Sequence, residues 1–463
     1  MIELDPRAGK PLYEQLYEAL ANEIRTEQRP AGTPLPGRRT MAGELGVSVN
    51  TVDAAYQMLA AEGLARARPR SGFYVQETGG MLRPAPPPAP EPAAAPAAPA
   101  ARYDLSTGSI DTALFPARSW GRIQRELLYQ APELLQRGEA QGDADLRTQI
   151  AAYLAAYRGV ACTPDQVVVG AGIEYLLGCL AHLFQGAVAA VENPGYARSR
   201  MVLENNGIPC RLVDIDAQGL PPAGLAASGA GLCYLTPSHH FPTGVTMPAP
   251  RRAQLLAWAA EAEGRYILED DYDSEFRFTT RPLPSLQGMA GPDGPVVYLT
   301  TFSKSLAPGI RIACMVLPRP LLARYRRDFA LYSNTVSRFE QQTLCRFMAG
   351  GTFTRHINRM RLTYKRRMES FAAALRRELG PRLSLGGTHS GLHFLLTLPG
   401  AGGETAMVQA AAAESVHLRG LSDYYMAHRD ACPPDTVVAG YAALRSEDIP
   451  AVARALGRAW AAH

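Results

Sequence analysis

Apolar residues near the start of the chain recur at helical spacing. Every fourth residue across Leu12–Ile24 is leucine or isoleucine, which predicts an amphipathic helix over Pro11–Thr26. A second helical pattern covers Val49–Glu62, and Leu64–Val75 fits a two-stranded hairpin with a glycine near its tip. These elements predict a small helical domain that ends in a β-wing.

The connection between the helices of this domain is typical of a helix-turn-helix. Leu45-Gly46-Val47-Ser48 combines a helix end, a tight turn and a serine N-cap for the next helix. In a helix-turn-helix the second helix enters the DNA major groove with its N-terminal side chains. Two arginine clusters add positive charge, one before the preceding helix and one in the wing. The candidate DNA contacts are Arg38, Arg39, Ser48, Asn50, Thr51, Arg66, Arg68, Arg70 and Gly72.

Net charge does not by itself support nucleic-acid binding. Residues 1–80 hold nine Lys and Arg against ten Asp and Glu, a net charge of −1, and the whole chain carries +4. The DNA-binding interpretation therefore depends on the two local arginine clusters. The alternative is a small helical interaction or oligomerisation domain whose arginines are only solvated.

Composition changes abruptly after the wing. Residues 79–101 begin with two glycines and continue with eight prolines among alanines. Such a stretch cannot bury a core and favours a semi-extended linker. The chain accordingly divides into a winged helix-turn-helix domain at 1–78, a linker at 79–102 and a large domain at 103–463.

The large domain alternates strand-like and helical patterns. This alternation predicts an α/β fold with a mostly parallel sheet between helices, followed by a smaller α+β subdomain in roughly the last 90 residues. The predicted strands are Gln166–Val169, Ala187–Val191, Gly231–Leu235, Tyr266–Leu268, Val296–Leu299 and Ile312–Leu317. The predicted helices include Glu174–Phe184, Arg251–Glu263 and Glu340–Met348.

Composition is that of a cytoplasmic globular protein. Hydrophobic residues make up 47% and charged residues 19%, which is enough apolar content for a large core. The seven cysteines form no CxxC pair, which predicts reduced thiols and neither a disulfide framework nor a metal site. The N-terminus lacks the features of a signal peptide. The sequence has no uninterrupted run of about 20 apolar residues, so no membrane span is expected.

The residues around Lys304 have the chemistry of a pyridoxal 5'-phosphate (PLP) site. A lysine amine forms a Schiff base with an aldehyde, and a carboxylate such as Asp270 pairs with a protonated pyridine nitrogen. Asp270 follows the apolar run Tyr266-Ile267-Leu268, so we expect it at the C-terminal end of a strand, where ligands bind in parallel sheets. Tyr272 is placed to donate to the phenolic oxygen of the ring. Lys304, Asp270 and Tyr272 are therefore the candidate catalytic residues.

A phosphate group requires backbone N–H groups at a helix start and a cation. The turn before the helix at Glu174 offers the amides of Gly172 and Ile173, and Tyr196 is a candidate to stack on the ring. The remaining candidate cofactor contacts are Thr301, Ser303 and Arg311. Taken singly, these motifs have ordinary explanations: a surface lysine, an acidic strand end, a packed glycine turn.

The order of these motifs resembles two known protein families. The segments 35–42, 45–48 and 70–75, which read LPGRRTMA, LGVS and RSGFYV, resemble the winged helix of GntR-type repressors. The glycine turn, Pro-Gly-Tyr, Pro-Thr-Gly, Asp-x-Tyr and the run around Lys304 are similar to fold-type I aminotransferases across residues 103–463. Together the two halves resemble the MocR family of PLP-dependent transcriptional regulators, which includes a GABA-responsive member.

The resemblance implies a role for each candidate residue. Lys304 would be the Schiff-base lysine, Asp270 the partner of the pyridine nitrogen and Tyr272 the partner of the phenolic oxygen. Tyr196 would stack on the ring, and Arg311 would bind the phosphate.

Three departures from the family's pattern alter the details. Val49 follows the capping serine where the family often has an arginine, so base readout is expected to depend on Asn50 and the arginines. The turn Gly170-Ala171-Gly172-Ile173 has fewer hydroxyls than its counterparts, so we expect fewer phosphate hydrogen bonds. Val438 stands where aminotransferases bind a substrate carboxylate with arginine. Either another cation such as Arg419 serves, or the effector is not a simple amino acid.

The resemblance implies a cytoplasmic regulator that binds PLP and senses a small amine, an amino acid or PLP itself. It further implies a head-to-tail homodimer on double-stranded operator DNA with paired half-sites. The alternative is an active PLP-dependent aminotransferase with an appended DNA-binding domain, although the valine at 438 argues against efficient amino-acid turnover.

Overall fold

A computed structural model describes residues 2–77, 101–278 and 283–460. Contacts divide the chain into two compact units, Met1–Ala97 and Ala98–His463. Residues 79–100 of the predicted linker lie outside the described residues.

The N-terminal unit is a three-helix domain with a wing. Its elements are α1 (Leu12–Arg25), α2 (Arg38–Leu45), α3 (Val49–Ala61), β1 (Ala65–Arg68) and β2 (Gly72–Val75). The two strands pair antiparallel, so the predicted helix-turn-helix and wing are confirmed. The prediction that Arg38 and Arg39 lie before the first helix of the helix-turn-helix was wrong. They form the first turn of α2, because Gly37 after Pro36 is already its N-cap.

The core of this unit joins the helices to the wing. Leu16 and Leu20 of α1 are fully buried together with Val52 of α3. Tyr56 packs edge to face on Phe73 of the wing, with ring centroids 5.3 Å apart. Helix α3 is thereby held against both α1 and the hairpin.

The second unit contains the remaining elements. Its helices are α4 (Ala117–Gln130), α5 (Ala144–Arg158), α6 (Ile173–Leu183), α7 (Ala197–Asn205), α8 (Pro222–Ala227), α9 (Ala249–Ala260), α10 (Leu286–Ala290), α11 (Arg319–Asp328), α12 (Arg338–Ala349), α13 (Thr352–Leu379), α14 (Glu404–Ala413) and α15 (Ile449–Trp460). Its strands are β3 (Tyr103–Asp104), β4 (Val167–Gly170), β5 (Ala189–Asn193), β6 (Cys210–Asp214), β7 (Leu232–Leu235), β8 (Tyr266–Asp270), β9 (Val296–Thr301), β10 (Ala313–Val316), β11 (Ser384–Gly386), β12 (His393–Thr397), β13 (Val416–His417), β14 (Arg419–Gly420) and β15 (Thr436–Gly440).

The main sheet has the strand order β4-β10-β9-β8-β7-β5-β6. Strands β9, β8, β7, β5 and β6 run parallel, and β10 is antiparallel to both of its neighbours. The mostly parallel sheet is therefore confirmed. Strand β6 was not predicted, because it lies half exposed at the sheet edge and has no continuous apolar run. The carboxyl ends of the parallel strands meet at one edge, where open α/β sheets bind ligands.

A smaller sheet, β11-β12-β15-β14, forms the predicted C-terminal subdomain. One face of this sheet packs with α13, α14 and α15 in a shared core. The subdomain is larger than predicted, because β3 pairs with β13 and brings Tyr103 and Leu105 into the same core. The segment that follows residue 102 is thus part of this subdomain.

Two predictions about composition can be compared with the structure. The seven cysteines are all free thiols, as their spacing predicts. Within the described ranges, no helix has both the length and the apolar character to cross a membrane.

Candidate functional site

A cavity of about 420 Å³ opens at the carboxyl ends of the parallel strands. Asp270 ends β8, Thr301 ends β9, and Lys304 follows β9 by three residues. All three line the cavity, together with His393 and Arg419 from the smaller sheet. The cavity therefore lies between the main sheet and the C-terminal subdomain.

The amine of Lys304 is held inside this cavity. Its Nζ donates to the carbonyl oxygen of Thr107 at 2.6 Å. Burial lowers the pKa of Lys304 below its ordinary value, although the nearby charge of Asp273 works against the shift. A lowered pKa increases the share of neutral amine, which is the nucleophilic form.

Asp270 has one occupied and one unoccupied carboxylate oxygen. The hydroxyl of Tyr234 on the neighbouring strand β7 donates to Oδ2, whereas Oδ1 is buried and has no partner among the described residues. Burial raises the pKa of Asp270 to about 7, against the lowering effect of the Tyr234 hydrogen bond. An unpartnered buried oxygen calls for an explanation, and a protonated ligand nitrogen supplies one.

Asp271, which directly follows Asp270 in the chain, has a structural role. Its Oδ2 accepts from Arg158 Nε at 2.5 Å, from Tyr298 at 2.5 Å and from Ser274 at 2.8 Å. Burial alone opposes ionisation, but the charge of Arg158 and these hydrogen bonds hold the pKa of Asp271 below its usual range. Oδ1 of Asp271 is also buried without a partner among the described residues, but Asp271 does not line the cavity, whereas Asp270 does.

The turn before α6 meets the guanidinium of Arg311. A side chain on Gly172 would place its Cβ 2.4 Å from Arg311 Nη2, and Gly172 has a φ of 96°, so only glycine fits. Arg311 donates to Glu174 at 2.7 Å. The N–H of Gly172 already donates to Gly170 at 2.8 Å, whereas that of Ile173 has no acceptor among the described residues. Of the two predicted amides, Ile173 is therefore the available one.

Hydroxyl and aromatic groups complete the walls of the cavity. The hydroxyls of Thr301 and Ser303 lie 2.8 Å apart, and both residues line the cavity together with Lys304. Tyr196 is 41% exposed, and its ring meets that of Phe241 edge to face at 5.6 Å. The structure thus brings all the predicted cofactor contacts to one cavity.

The hydroxyl of Tyr272 contacts His239, which was not among the predicted site residues. Its hydroxyl lies 3.0 Å from Nδ1 of His239, and the same nitrogen lies 2.9 Å from Oδ2 of Asp273. Ligand atoms of His239, Asp273 and His393 lie within 4.8 Å of one another. Because these residues are 34 and 154 positions from His239 in the chain, no local motif indicates the cluster; only the Asp-x-Tyr-Asp run was visible.

The N-terminus of α3 presents the predicted DNA-binding side chains. Ser48 caps the helix by accepting from the Thr51 N–H at 3.1 Å. Asn50 is exposed and has no side-chain hydrogen bond with any described residue. Arg38 forms an ion pair with Asp53 of α3, whereas Arg39 is exposed and has no ion pair within residues 2–77. The two arginines therefore differ in how freely they can reach a phosphate.

The wing carries exposed arginines in defined positions. The Arg68 guanidinium lies 4.1 Å from the ring centroid of Tyr74. Arg70 has a φ of 60° and Gly72 a φ of 94°, so both residues at the hairpin tip have left-handed backbone, and Arg70 is exposed there. Arg66 is exposed on β1.

Two family models match the chain. That of the gntR family of bacterial regulatory proteins matches residues 12–75, and that of aminotransferase class I and II matches residues 103–456. The kynurenine aminotransferase of Pyrococcus horikoshii superposes with a TM-score of 0.68 at 24% identity, covering 78% of this chain and 90% of that one. This likeness confirms the aminotransferase fold.

A winged helix joined to an aminotransferase-type domain defines a class of helix-turn-helix regulators. The regulator YhdI of Bacillus subtilis is 38% identical, covering 99% of this chain and 97% of its own. MocR of Rhizobium meliloti, a probable rhizopine catabolism regulator, is 31% identical (96% and 92% covered). PdxR of Corynebacterium glutamicum, a pyridoxine biosynthesis regulator, is also 31% identical (92% and 91% covered). The chain belongs to the MocR-type transcriptional regulators of the GntR family.

Proposed function

We propose that this transcriptional regulator binds PLP at Lys304 and senses a small amine, an amino acid or PLP itself. The observation that carries the proposal is Asp270, which lines the cavity and whose buried Oδ1 has no partner among the described residues. A carboxylate in this state suits a protonated ring nitrogen. When bound, PLP supplies an aldehyde for a lysine amine and a ring that withdraws electrons.

The other residues of the cavity would hold the remaining parts of the cofactor. Lys304 offers an amine with a lowered pKa, and Tyr272 offers a hydroxyl to the phenolic oxygen. Gly172 lets the guanidinium of Arg311 lie against the turn before α6, and the N–H of Ile173, which has no acceptor among the described residues, lies at the start of this helix. The hydroxyls of Thr301 and Ser303 and the ring of Tyr196 complete the set.

The positively charged side chains of the cavity indicate which residue could bind an anionic group of the effector. The basic residues that line the cavity are Arg198, Lys304, Arg311 and Arg419. Arg198 and Arg311 both form ion pairs with Glu174, and Lys304 donates to Thr107. Arg419 has no ion pair or side-chain hydrogen bond with any described residue. It is therefore the cation available for an anionic group of the effector.

Strand register supports this role for Arg419. Side chains of directly paired residues in antiparallel strands lie on the same face. Leu395 pairs with Val438, and Val438 pairs with Arg419. Phe394 packs in the core on the other face, whereas His393 lines the cavity. Arg419 thus reaches, from the neighbouring strand, the face on which Val438 lies.

PLP itself remains a candidate signal alongside amines. PdxR is a relative whose name connects it with pyridoxine biosynthesis, and MocR is one connected with rhizopine catabolism. In either case the differential affinity of a ligand for two states of the large domain would shift operator binding. The DNA contacts would come from Asn50, Thr51 and Arg39 of the helix-turn-helix and from the wing arginines.

An exposed apolar cluster supports a homodimer of this regulator. Leu135, Leu331 and Tyr332 are 78%, 89% and 54% exposed. Arg137 joins them, because its Nη2 donates to the carbonyl oxygens of Leu331 at 2.6 Å and Tyr332 at 3.0 Å. Large exposed side chains grouped in this way favour a protein partner, and we assign it to a second copy of this chain in the head-to-tail arrangement. Light scattering of the Leu331→Glu variant tests this assignment.

The second candidate is an active aminotransferase with an appended DNA-binding domain. It is favoured by the lowered pKa of the Lys304 amine, which lines the same cavity as the carboxylates of Asp270 and Asp273. Steady-state assays over a panel of amino acids and keto acids distinguish the two functions. Robust turnover favours the enzyme, whereas operator binding without turnover favours the regulator.

The Lys304→Ala variant tests the proposed cofactor site. We expect wild-type protein supplied with PLP to show a visible absorbance band and a borohydride-trapped adduct on the peptide that contains Lys304. The variant should lack both while keeping its thermal melting temperature and its gel shift with the DNA upstream of its own gene. An unchanged adduct in the variant would place the cofactor on another lysine, and a colourless wild type would refute PLP binding.

A further inference from the structure

A buried histidine touches Tyr272 behind the cavity wall. His239 and Asp273 are each 2% exposed. Nδ1 of His239 lies 2.9 Å from Oδ2 of Asp273 and 3.0 Å from the hydroxyl of Tyr272. Tyr272 itself lines the cavity beside Lys304, whereas His239 does not. His239 is therefore in a position to act through Tyr272.

The surroundings of the His239 ring determine which nitrogen carries the proton. Nε2 is buried and has no partner among the described residues. It packs on glycine backbone: a Cβ on Gly391 would come 2.6 Å from Nε2, and one on Gly244 would come 3.4 Å from it. A proton on Nε2 would leave a buried N–H without an acceptor and would turn the lone pair of Nδ1 towards a carboxylate. The neutral ring therefore carries its proton on Nδ1.

This tautomer fixes the role of the tyrosine hydroxyl. A protonated Nδ1 is a donor, so Tyr272 cannot donate to His239 and can only accept from it. The same N–H binds Oδ2 of Asp273, a carboxylate that the Tyr272 hydroxyl also reaches and that lines the cavity. His239 is thus removed as an acceptor, and the acceptors left for the proton of Tyr272 lie at the cavity.

We infer that His239, held by Asp273, is a positioning residue that keeps Tyr272 as a hydrogen-bond donor to the bound cofactor. This inference rests on the proposed PLP site. The other groups facing His239 are the ring of His393, with a centroid 4.9 Å away, and the neighbouring His240. Burial lowers the pKa of both histidines, to about 3 for His240, so neither adds a positive charge at neutral pH.

The test is the pH titration of the visible band of the PLP-loaded, full-length protein. A donor to the phenolic oxygen stabilises its negative charge, so losing that donor lets the bound chromophore keep its proton to higher pH. We expect the midpoint to rise by about one pH unit in Tyr272→Phe and in His239→Ala. The double variant should match Tyr272→Phe alone, because His239 acts only through Tyr272.

The control variant is His240→Gln, which removes the adjacent buried histidine. His240 bonds Thr243 at 2.7 Å and has no hydrogen bond to Tyr272. The titration midpoint of the visible band in His240→Gln should therefore equal that of the wild type. A wild-type midpoint in His239→Ala, or additive shifts in the double variant, would overturn the inference. Absence of any visible band in the wild type would instead overturn the proposed cofactor site.

A measurement on the unmodified protein covers the case in which His239→Ala loses its fold or its cofactor. Selective ¹⁵N-histidine labelling distinguishes the two tautomers of a neutral ring by the chemical shifts of its nitrogens, and His239→Gln assigns the signal. We expect the proton on Nδ1 at pH 7.5. A proton on Nε2 would refute the inference, whatever the variants do.

Discussion

The hydroxyl of Tyr234 donates to Oδ2 of Asp270 across two adjacent strands of the main sheet. This bond leaves Oδ1 as the carboxylate oxygen without a partner among the described residues, and it lowers the pKa of Asp270 against the raising effect of burial. The carboxylate is thereby kept ionised closer to neutral pH. Tyr234 thus prepares Asp270 for a positively charged partner although it is 36 residues away in the chain.

Removing this bond should weaken PLP binding and move its pH dependence. In Tyr234→Phe the pKa of Asp270, about 7 in the intact protein, should rise. Since only the ionised form pairs with the ring nitrogen, affinity falls as pH drops through that pKa, and the fall should start at higher pH in the variant. We expect about tenfold weaker PLP binding at pH 7.5, the effect of one hydrogen bond to a charged group. Equilibrium dialysis from pH 6 to 9 measures it, and identical pH profiles would contradict the prediction.

Replacing Arg419 should remove selectivity for anionic amines. We expect the PLP-loaded protein to bind at least one of glycine, β-alanine and γ-aminobutyrate about tenfold more tightly than the amine of equal length without a carboxylate. Arg419→Gln should abolish the difference, and Arg419→Lys should keep part of it because a lysine binds as a point charge. Spectral titration of the visible band measures both affinities.

The control for this experiment is Arg198→Gln. Arg198 also lines the cavity but already forms an ion pair with Glu174 at 3.0 Å, so its loss should preserve the selectivity. Selectivity that survives in Arg419→Gln would mean that another group binds the carboxylate.

Breaking the buried ion pair of Asp271 should destabilise the large domain. The side chains of Arg158 and Asp271 are 4% and 1% exposed, so Arg158→Met leaves an unpaired buried carboxylate, with an expected loss of about 3–5 kcal/mol. The folded-state pKa of Asp271 is lowered, so its contribution exists above the unfolded pKa and disappears as pH falls through the folded pKa. The difference between variant and wild type should therefore be largest near pH 7 and shrink below about pH 4.

Urea unfolding at several pH values measures this loss. The matched control is Arg319→Met, which breaks an exposed pair with Asp293 at 2.5 Å and should cost less than about 1 kcal/mol. Equal losses in the two variants would show that burial of the Arg158 pair is without consequence.

The DNA-binding residues should separate into two groups. Arg39→Ala and Arg70→Ala should weaken binding to any duplex and reduce the salt dependence by about one ion each, because both side chains are exposed and suited to phosphate. Asn50→Ala should weaken binding to the upstream operator but not to unrelated duplex, because amide side chains read base edges. Gel shifts at two salt concentrations with both DNAs test the distinction. A uniform loss in Asn50→Ala would assign that residue to the backbone instead.

Local patterns predicted most elements and several site residues. Helical spacing located α1 and α3, and continuous apolar runs located β7, β8 and β9 within a few residues. Asp270 was placed correctly at a strand end because three acidic residues, 269–271, directly follow such a run. Strand β6 was not predicted, because an edge strand with alternating exposure has no continuous apolar run. The antiparallel direction of β10 was not predicted either, because a short apolar segment does not indicate the direction of a strand.

The sequence by itself determined the two-part organisation, the class of each domain and the candidate lysine and carboxylate of the site, since each depends on spacing within a few residues. Only the tertiary structure decided that Tyr234 holds Asp270, that His239 meets Tyr272 and that Arg419 lies opposite Val438. These pairs join residues on different strands and loops. Their meeting depends on sheet order and register, which arise from packing of the whole domain and not from neighbours in the chain.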